Sequence, residues 1–330
     1  MKITDHALNV LTARTFKGIG EAWLNNNLTT KIPYEAIVEL IAAKDASVTE
    51  QAFLEMKARL ERLIENLGDS CDGVVAIGDD NYPTLRRELK KKGDIPSFLF
   101  YKGDLDLLSP DNYNVAVIGV LNPDKETEVD ENQVVEQFIK KQDATIVSGL
   151  ADGCDSISHR KALALNARTV AILPSPLNNI LPAQNIDLAR EIVENQGLLI
   201  TEYLTSPSST NFREQAGRYV KRDRLQALFS DLVVLSASYS KTSLDPNNPK
   251  PDSGSRHAME KAKEYGIKRA VIYNEDYQNN PKYDLNRQII KEDGPQAIVI
   301  NPKDIENSLP SNLKESNGRL STPEQVGLGF

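Results

Sequence analysis

The chain has 330 residues, 40% apolar and 26% charged, with a formal net charge of −8. That is long enough for one large core with a small unit beside it, and too acidic for a protein that coats nucleic acid with its whole surface. No run of eighteen apolar residues exists, and the opening MKITDHALNV lacks the apolar stretch of a signal peptide. A membrane span is excluded on this pattern and a cytoplasmic protein is expected. The two cysteines, Cys71 and Cys154, make no disulfide framework, which suits a reducing cytosol.

Residues 1–68 read as a small N-terminal helical domain, with apolar residues at helical spacing in 34–43 and 53–67. Residues 15–24, TFKGIGEAWL, resemble the hairpin of a helix-hairpin-helix module. Such a turn exposes backbone N–H groups to a phosphate, but only Arg14 and Lys17 stand nearby and Glu21 follows, so a structural turn is the plainer expectation. Residues 72–112 hold a short strand, a Tyr82-Pro83 start, a short helix and a second strand. Short apolar runs then alternate with helical stretches. The strands expected are 115–121, 145–150, 169–174, 198–203, 231–237, 269–273 and 297–300, with helices between them, for example over 129–140 and 185–194. These runs lack strict alternation, as strands buried on both faces do. The fold class expected over 72–301 is therefore α/β, a Rossmann-like, doubly wound, mostly parallel sheet. Residues 239–252 read as a long mobile loop. In 302–330 a short helix and then a disordered tail from 311 are expected.

Four places along this fold carry candidate chemistry. After the strand at 115–121 a phosphate-binding turn needs several glycines, yet Gly119 stands alone and the next helix opens with Asp124, Glu126 and Glu128. A dinucleotide cofactor is not expected there, and no His/Cys spacing suggests zinc. The second place is ATIVSGLADGCDSISHRKAL, residues 144–163. A strand ends at Ser148 and Gly149, Gly153 allows close backbone approach, and Asp155 reads as a helix N-cap, so N–H groups and small hydroxyls converge where such sheets bind ligands. His159 follows Asp155 by one helical turn, as an acid/base partner or, more plainly, as an ordering contact. Cys154 at a helix start is a place where a thiol pKa can fall, although a packing role is the plainer reading. The third is NFREQAGRYVKRDRLQALFSD, residues 211–231. Arg213, Arg218, Lys221, Arg222 and Arg224 face only Glu214 and Asp223, and Phe212 and Tyr219 are interleaved for stacking on bases. The alternative is a solvated helix, with Arg222 and Arg224 paired to Glu202 or Asp231. The fourth is Ser253, Gly254 and Ser255, a donor-rich helix entry after the loop.

In this order and spacing the motifs resemble the DprA/Smf family over about residues 72–273. The family's Ser-Gly-Leu-Ala is Ser148-Gly149-Leu150-Ala151, followed by Gly153-Cys154-Asp155 and His159. Residues 181–185, LPAQN, stand where the family has Tyr-Pro-x-Glu-Asn. Thr201-Glu202 matches Ser-Glu, and Arg222-Asp223-Arg224 with Leu228-Phe229-Ser230-Asp231 matches Arg-Asn-Arg and Leu-Ser-Asp. Ser253-Gly254-Ser255 with Ala258 and Ala262 matches the Ser-Gly-Ser entry, and Tyr82-Pro83 with 98–105 fits upstream. The resemblance implies single-stranded DNA bound in a basic pocket on the Rossmann-like domain, a homodimer, and loading of RecA, with no covalent chemistry.

The departures are specific. Gly119-Val120-Leu121 replaces Gly-Ser-Arg, Ala151-Asp152-Gly153 replaces Ala-Arg-Gly, and Asn274-Glu275 replaces Pro-Gly. No winged helix is read after residue 301. Two cations expected beside the ligand have become Leu121 and Asp152, so weaker DNA binding or another ligand is expected. The alternatives are a sensor of a small nucleotide, for instance in phage defence, and a LOG-like nucleoside-monophosphate phosphoribohydrolase with Glu202 or Asp155 as acid/base. The Gly-Gly-Gly and Pro-Gly-Gly-x-Gly-Thr signatures of the latter are absent.

Overall fold

The computed structural model describes residues 1–208, 210–248 and 251–309. The tail expected from 311, and residues 249–250 of the loop expected over 239–252, lie outside the described residues. The chain opens with a two-residue strand absent from the sequence reading, β1 (Lys2–Ile3), then α1 (Asp5–Arg14), α2 (Glu21–Asn27), α3 (Tyr34–Ala42) and α4 (Glu50–Glu65). Two strands follow, β2 (Gly73–Ala76) and β3 (Phe98–Gly103). The alternating series is β4 (Asn114–Ile118), α5 (Lys125–Gln142), β5 (Thr145–Ser148), α6 (Cys154–Ala164), β6 (Thr169–Leu173), α7 (Ile186–Glu194), β7 (Leu198–Thr201), α8 (Phe212–Leu228) and β8 (Leu232–Leu235). It closes with α9 (Arg256–Glu264), β9 (Lys268–Ile272), α10 (Asp284–Asp293), β10 (Ile298–Ile300) and α11 (Ile305–Ser308).

One sheet takes all ten strands in the order β1-β2-β3-β7-β6-β5-β4-β8-β9-β10. From β7 to β10 every pairing is parallel. β3 runs antiparallel to both neighbours, Tyr101 facing Gly73 on one side and Ile200 on the other. Alternate residues of β4 serve opposite faces, as strand pleating requires. Val115 and Val117 pack with Val134, Val135 and Phe138 of α5, while Ala116 and Ile118 pack with Leu225 and Leu228 of α8 and Ala258 of α9. The N-terminal helices continue the core: Leu8, Leu11, Ile37 and Phe53 cluster with Val74 and Ala76 of β2 and Phe98 and Phe100 of β3.

The helices start where the sequence supplies an acceptor. Thr49 caps α4 by accepting from Ala52 N–H, and Asp124 caps α5 by accepting from Thr127 N–H. A buried ion pair ties the entry of β4 to that of β8. Arg86 Nε donates to Asp231 Oδ2 at 3.1 Å, both side chains 1% exposed. The same carboxylate oxygen accepts from Asn114 N–H at 2.9 Å. The remaining Arg86 nitrogens donate to the carbonyls of Leu108, Ser109 and Asn112. The sequence weighs Asp231 as a partner for Arg222 or Arg224, and the fold gives it to Arg86.

Candidate nucleic-acid interface

β4 leads through α5 to β5 on one side, whereas its other neighbour, β8, is reached only after α8 crosses over. The boundary between β4 and β8 is therefore the switch point of the sheet, where a crevice opens beyond the carboxyl ends of the strands. A cleft of about 390 Å³ lies there. Ile118 and Gly119 end β4 in its floor. Leu121, Ala151 and Asp152 form one rim, with Asp155 at the start of α6. Tyr219, Arg222, Asp223 and Gln226 come from α8, Asp252, Gly254 and Ser255 from the turn before α9, and Pro182 closes the far side.

Of the residues singled out by sequence, Gly119, Asp155, Arg222, Gly254 and Ser255 line this cleft. Ser148, Gly149 and Gly153 form the backbone behind it. Gly153 holds φ +70°, and a Cβ there would lie 2.4 Å from the carbonyl oxygens of Val120 and Leu121. A Cβ on Gly149 would fall 1.2 Å from Arg222 Nη1, so that glycine is what lets the guanidinium lie flat on the turn. Asp155 was expected at the N-cap; Gly153 occupies that place, and Asp155 sits in the first turn of α6. Its Oδ2 reaches back to accept from Gly149 N–H (3.1 Å) and Ala151 N–H (3.3 Å), with Arg222 Nη1 at 3.5 Å. The Gln226 amide, oriented to satisfy its neighbours, also accepts from Gly149 N–H and Arg222 Nη1.

The hydroxyls of this turn are committed in the same way. Ser148 Oγ donates to Val117 O, Ser156 Oγ to Gly153 O and Ser158 Oγ to Asp155 O. Ser255 Oγ donates to Gly119 O, and Gly254 N–H is taken by Asp252 Oδ1. Ser253 accepts from Arg256 N–H through its carbonyl. His159 lies beneath the cleft, fully buried, with Nδ1 against Thr169 Oγ1 at 2.7 Å. Burial, with Arg222 nearby, pushes its imidazole down to about 3, so it stays neutral. The lowered thiol pKa considered for Cys154 is reversed: burial first, and Glu131 next to it, raise the thiol well above its ordinary value.

The basic cluster of α8 divides. From Arg222 to Leu228 the helix is buried, whereas its outer half stands in solvent, with Phe212 75% and Tyr219 37% exposed. Arg224 turns away from the cleft. Its Nη1 and Nη2 grip Glu202 at 2.7 and 2.6 Å, and its Nε donates to Asp94 O. Arg218 lies 4.2 Å over the Tyr203 ring and donates to Glu214 and Thr205 O. Lys221 Nζ stands 3.8 Å from Glu21 and 4.0 Å from Glu202. At residues 15–24 the anion position is filled from within the chain, because Glu21 accepts from Arg14 and from Ser97 N–H.

The cleft therefore holds four carboxyls, Asp152, Asp155, Asp223 and Asp252, against the single guanidinium of Arg222. Burial pushes Asp223 up to about 7, with Asp155 and Asp252 adding to the rise and Arg222 opposing it. Asp223 and Asp252 were not among the site residues expected from sequence. Asp223 carries a retrievable signal, since it follows Tyr219 by one helical turn; Asp252, in a polar loop, carries none. Beneath Gly119 lies Glu131 of α5, fully buried, its Oε2 accepting from Ser236 Oγ at 2.6 Å. Among the described residues no cluster of three or more His, Cys, Asp or Glu side chains is placed to hold a metal, and no helix is long and apolar enough to cross a membrane.

The profile of the family described as DNA recombination-mediator protein A matches residues 73–310. The chain belongs to that family. Among DNA recombination-mediator protein A relatives, Protein Smf of Borreliella burgdorferi is 31% identical over 163 residues, 49% of this chain and 48% of that one. DNA processing protein DprA of Bacillus subtilis is 27% identical over 177 residues, covering 54% and 56%. The chain thus spans about half the length of these curated relatives. The structure of DNA processing protein A from Streptococcus pneumoniae superposes with a TM-score of 0.66 at 23% identity, covering 93% of this chain and 98% of that one; this likeness is one of fold. That of DNA processing protein A from Helicobacter pylori, described for its single-stranded DNA binding mode, gives 0.51 at 26% identity over 68% and 94%.

Proposed function

We propose that this member of the family binds single-stranded DNA, with the strand running along the outer half of α8 into the switch-point cleft, in DNA processing, uptake or recombination. The observation that carries this reading is α8 itself. A solvent-exposed helical half bears Phe212, Tyr219, Arg213 and Lys221 and leads directly to Arg222 in the cleft. Aromatic platforms interleaved with cations are what sequence-tolerant single-strand binding uses. The single-strand binding mode in the description of the Helicobacter pylori relative supports the choice of polymer. Binding without covalent chemistry is part of the proposal. Glu202 is gripped by Arg224 and Asp155 is spent on the Gly149 turn, which leaves neither as a free acid/base. Loading of RecA and formation of a homodimer extend the family resemblance and belong to the same proposal. A small nucleotide as ligand is favoured by one observation, a cleft of about 390 Å³ with one buried cation, and the same binding panel includes it.

Fluorescence anisotropy with a single strand, the matching duplex and mononucleotides at one salt concentration tests the reading. The single strand is expected to bind tightest, and a tighter duplex would sink it. Phe212→Ala with Tyr219→Ala is expected to weaken single-strand binding by about 1–3 kcal/mol per stacked base, with the melting temperature little changed because both rings stand in solvent. Leu121, 43% exposed on the rim, replaces a cation of the family pattern. Leu121→Arg is expected to raise affinity and steepen the salt slope by about 0.7 for one new phosphate contact. An unchanged slope would place that rim away from the strand.

A further inference from the structure

Five donors that could serve a phosphate are already spent inside the protein. Gly149 and Ala151 N–H go to Asp155, Gly254 N–H goes to Asp252, and the hydroxyls of Ser148 and Ser255 go to backbone carbonyls. What remains in the cleft has another character. Tyr219, Leu121, Ala151 and Pro182 offer apolar surface, and Asp223 and Asp252 offer acceptors. Arg222, nine-tenths buried, is among the lining residues, its Nε held 3.4 Å from Asp223 Oδ1. The Arg222 guanidinium is the one cationic group among the lining residues, and it favours an acceptor on whatever fills the cleft.

We infer that the cleft takes a guanine base and no phosphate, with Arg222 donating to the base O6 and the Asp223 and Asp252 carboxyls accepting from its N1–H and 2-amino group. Of the four bases, guanine alone shows an acceptor followed by two donors along its pairing edge. Thymine shows a donor flanked by two acceptors, whose carbonyls would face carboxylates. Adenine and cytosine supply a single amino group. Bases taken out of a stack are read in this manner, by bonds to the pairing edge and by stacking between apolar side chains. The cleft volume of about 390 Å³ falls within the ~300–1,000 Å³ of small-molecule sites. Asp223, raised by burial with Asp155 and Asp252 adding to the rise, also gains from a donor edge placed against it.

The inference rests on the single-strand reading only for how the base arrives, so its test separates the two. The full chain is titrated with a short oligothymidine strand, with the same strand carrying one central deoxyguanosine, and with one carrying deoxyinosine, which lacks the 2-amino group. Free guanosine, guanosine monophosphate and thymidine are titrated by calorimetry. The deoxyguanosine strand is expected to bind about tenfold tighter than oligothymidine, the size of one bidentate base contact, with inosine between them. Guanosine is expected to bind at least as well as its monophosphate, and thymidine not at all. Asp223→Asn with Asp252→Asn should erase the preference, read as the ratio of affinities for the deoxyguanosine strand and for oligothymidine. Should the double variant fold poorly, Asp252→Asn alone, on the half-buried turn before α9, must still reduce it. Equal binding of all three strands, with no guanosine binding, overturns the inference and leaves the single-strand reading standing. Guanosine binding with no strand binding does the reverse, and failure of both removes both.

Discussion

Replacing Arg86 with alanine is expected to cost the folded state about 3–5 kcal/mol, the usual result of leaving one member of a buried ion pair alone. The chemistry around the site sets that scale. Arg86 and Asp231 are both 1% exposed, and the guanidinium also satisfies the carbonyls of Leu108, Ser109 and Asn112. Water cannot replace those donors without opening the junction of β4 and β8. Urea titration is expected to show a lower midpoint with an unchanged slope, since the folded and unfolded surfaces stay the same. Arg86→Met combined with Asp231→Asn should recover part of the loss, because it removes the stranded charge and keeps an acceptor for Asn114 N–H. A loss under about 1 kcal/mol, the range of solvent-exposed pairs, would show that the pair is wetter than its burial implies.

The second large effect is a pH dependence centred on Glu131. Burial pushes its carboxyl from an ordinary 4.5 up to about 8. Below 4.5 the group is protonated in the folded and unfolded chains alike and contributes nothing. Between about 4.5 and 8 the unfolded chain releases a proton that the folded chain keeps, so stability falls as pH rises, by about 1.4 kcal/mol per pH unit at most. Above 8 the cost is constant. Glu131→Gln retains an acceptor for Ser236 Oγ and carries no charge at any pH. The variant is therefore expected to gain on the parent progressively from pH 5 to pH 8, read as a widening gap between urea midpoints. Parallel curves over that window would mean that Glu131 ionises normally. Asp223, raised to about 7 for the same reason, tilts both curves alike.

The strands from β4 to β10 were legible because each is a short apolar run bounded by turn residues, and burial on both faces demands that composition. β4 is a clear example: all five of its residues are buried, although the strand ends at Ile118 and not at Leu121 as the apolar run of 115–121 suggests. β1 was not legible, since two residues carry no periodicity. The antiparallel direction of β3 was not legible either, because pairing direction leaves no mark on a six-residue strand. In the candidate site, sequence marks which residues carry donors but not which donors are already spent. Arg222 and Arg224, two residues apart, share every local property. Tertiary partners divide them, Asp155 and the cleft for one and Glu202 for the other. The acidity of the cleft was half visible at Asp152 and hidden at Asp252, which reaches it only through the turn before α9.

The position of β4 also dictates when the protein can be completed during synthesis. Val115 pairs with Leu232, so one side of this central strand has no neighbour until β8 has left the ribosome, on the order of 10 s later at ~5–20 residues per second. A half-built sheet with an open apolar flank is what chaperones hold. Because the cleft is bounded by those two strands, by α8 and by the turn that carries Asp252, Gly254 and Ser255, it is not complete in the nascent chain until that turn has emerged. An interrupted translation product thus yields a polypeptide that cannot compete with the finished protein for its ligand.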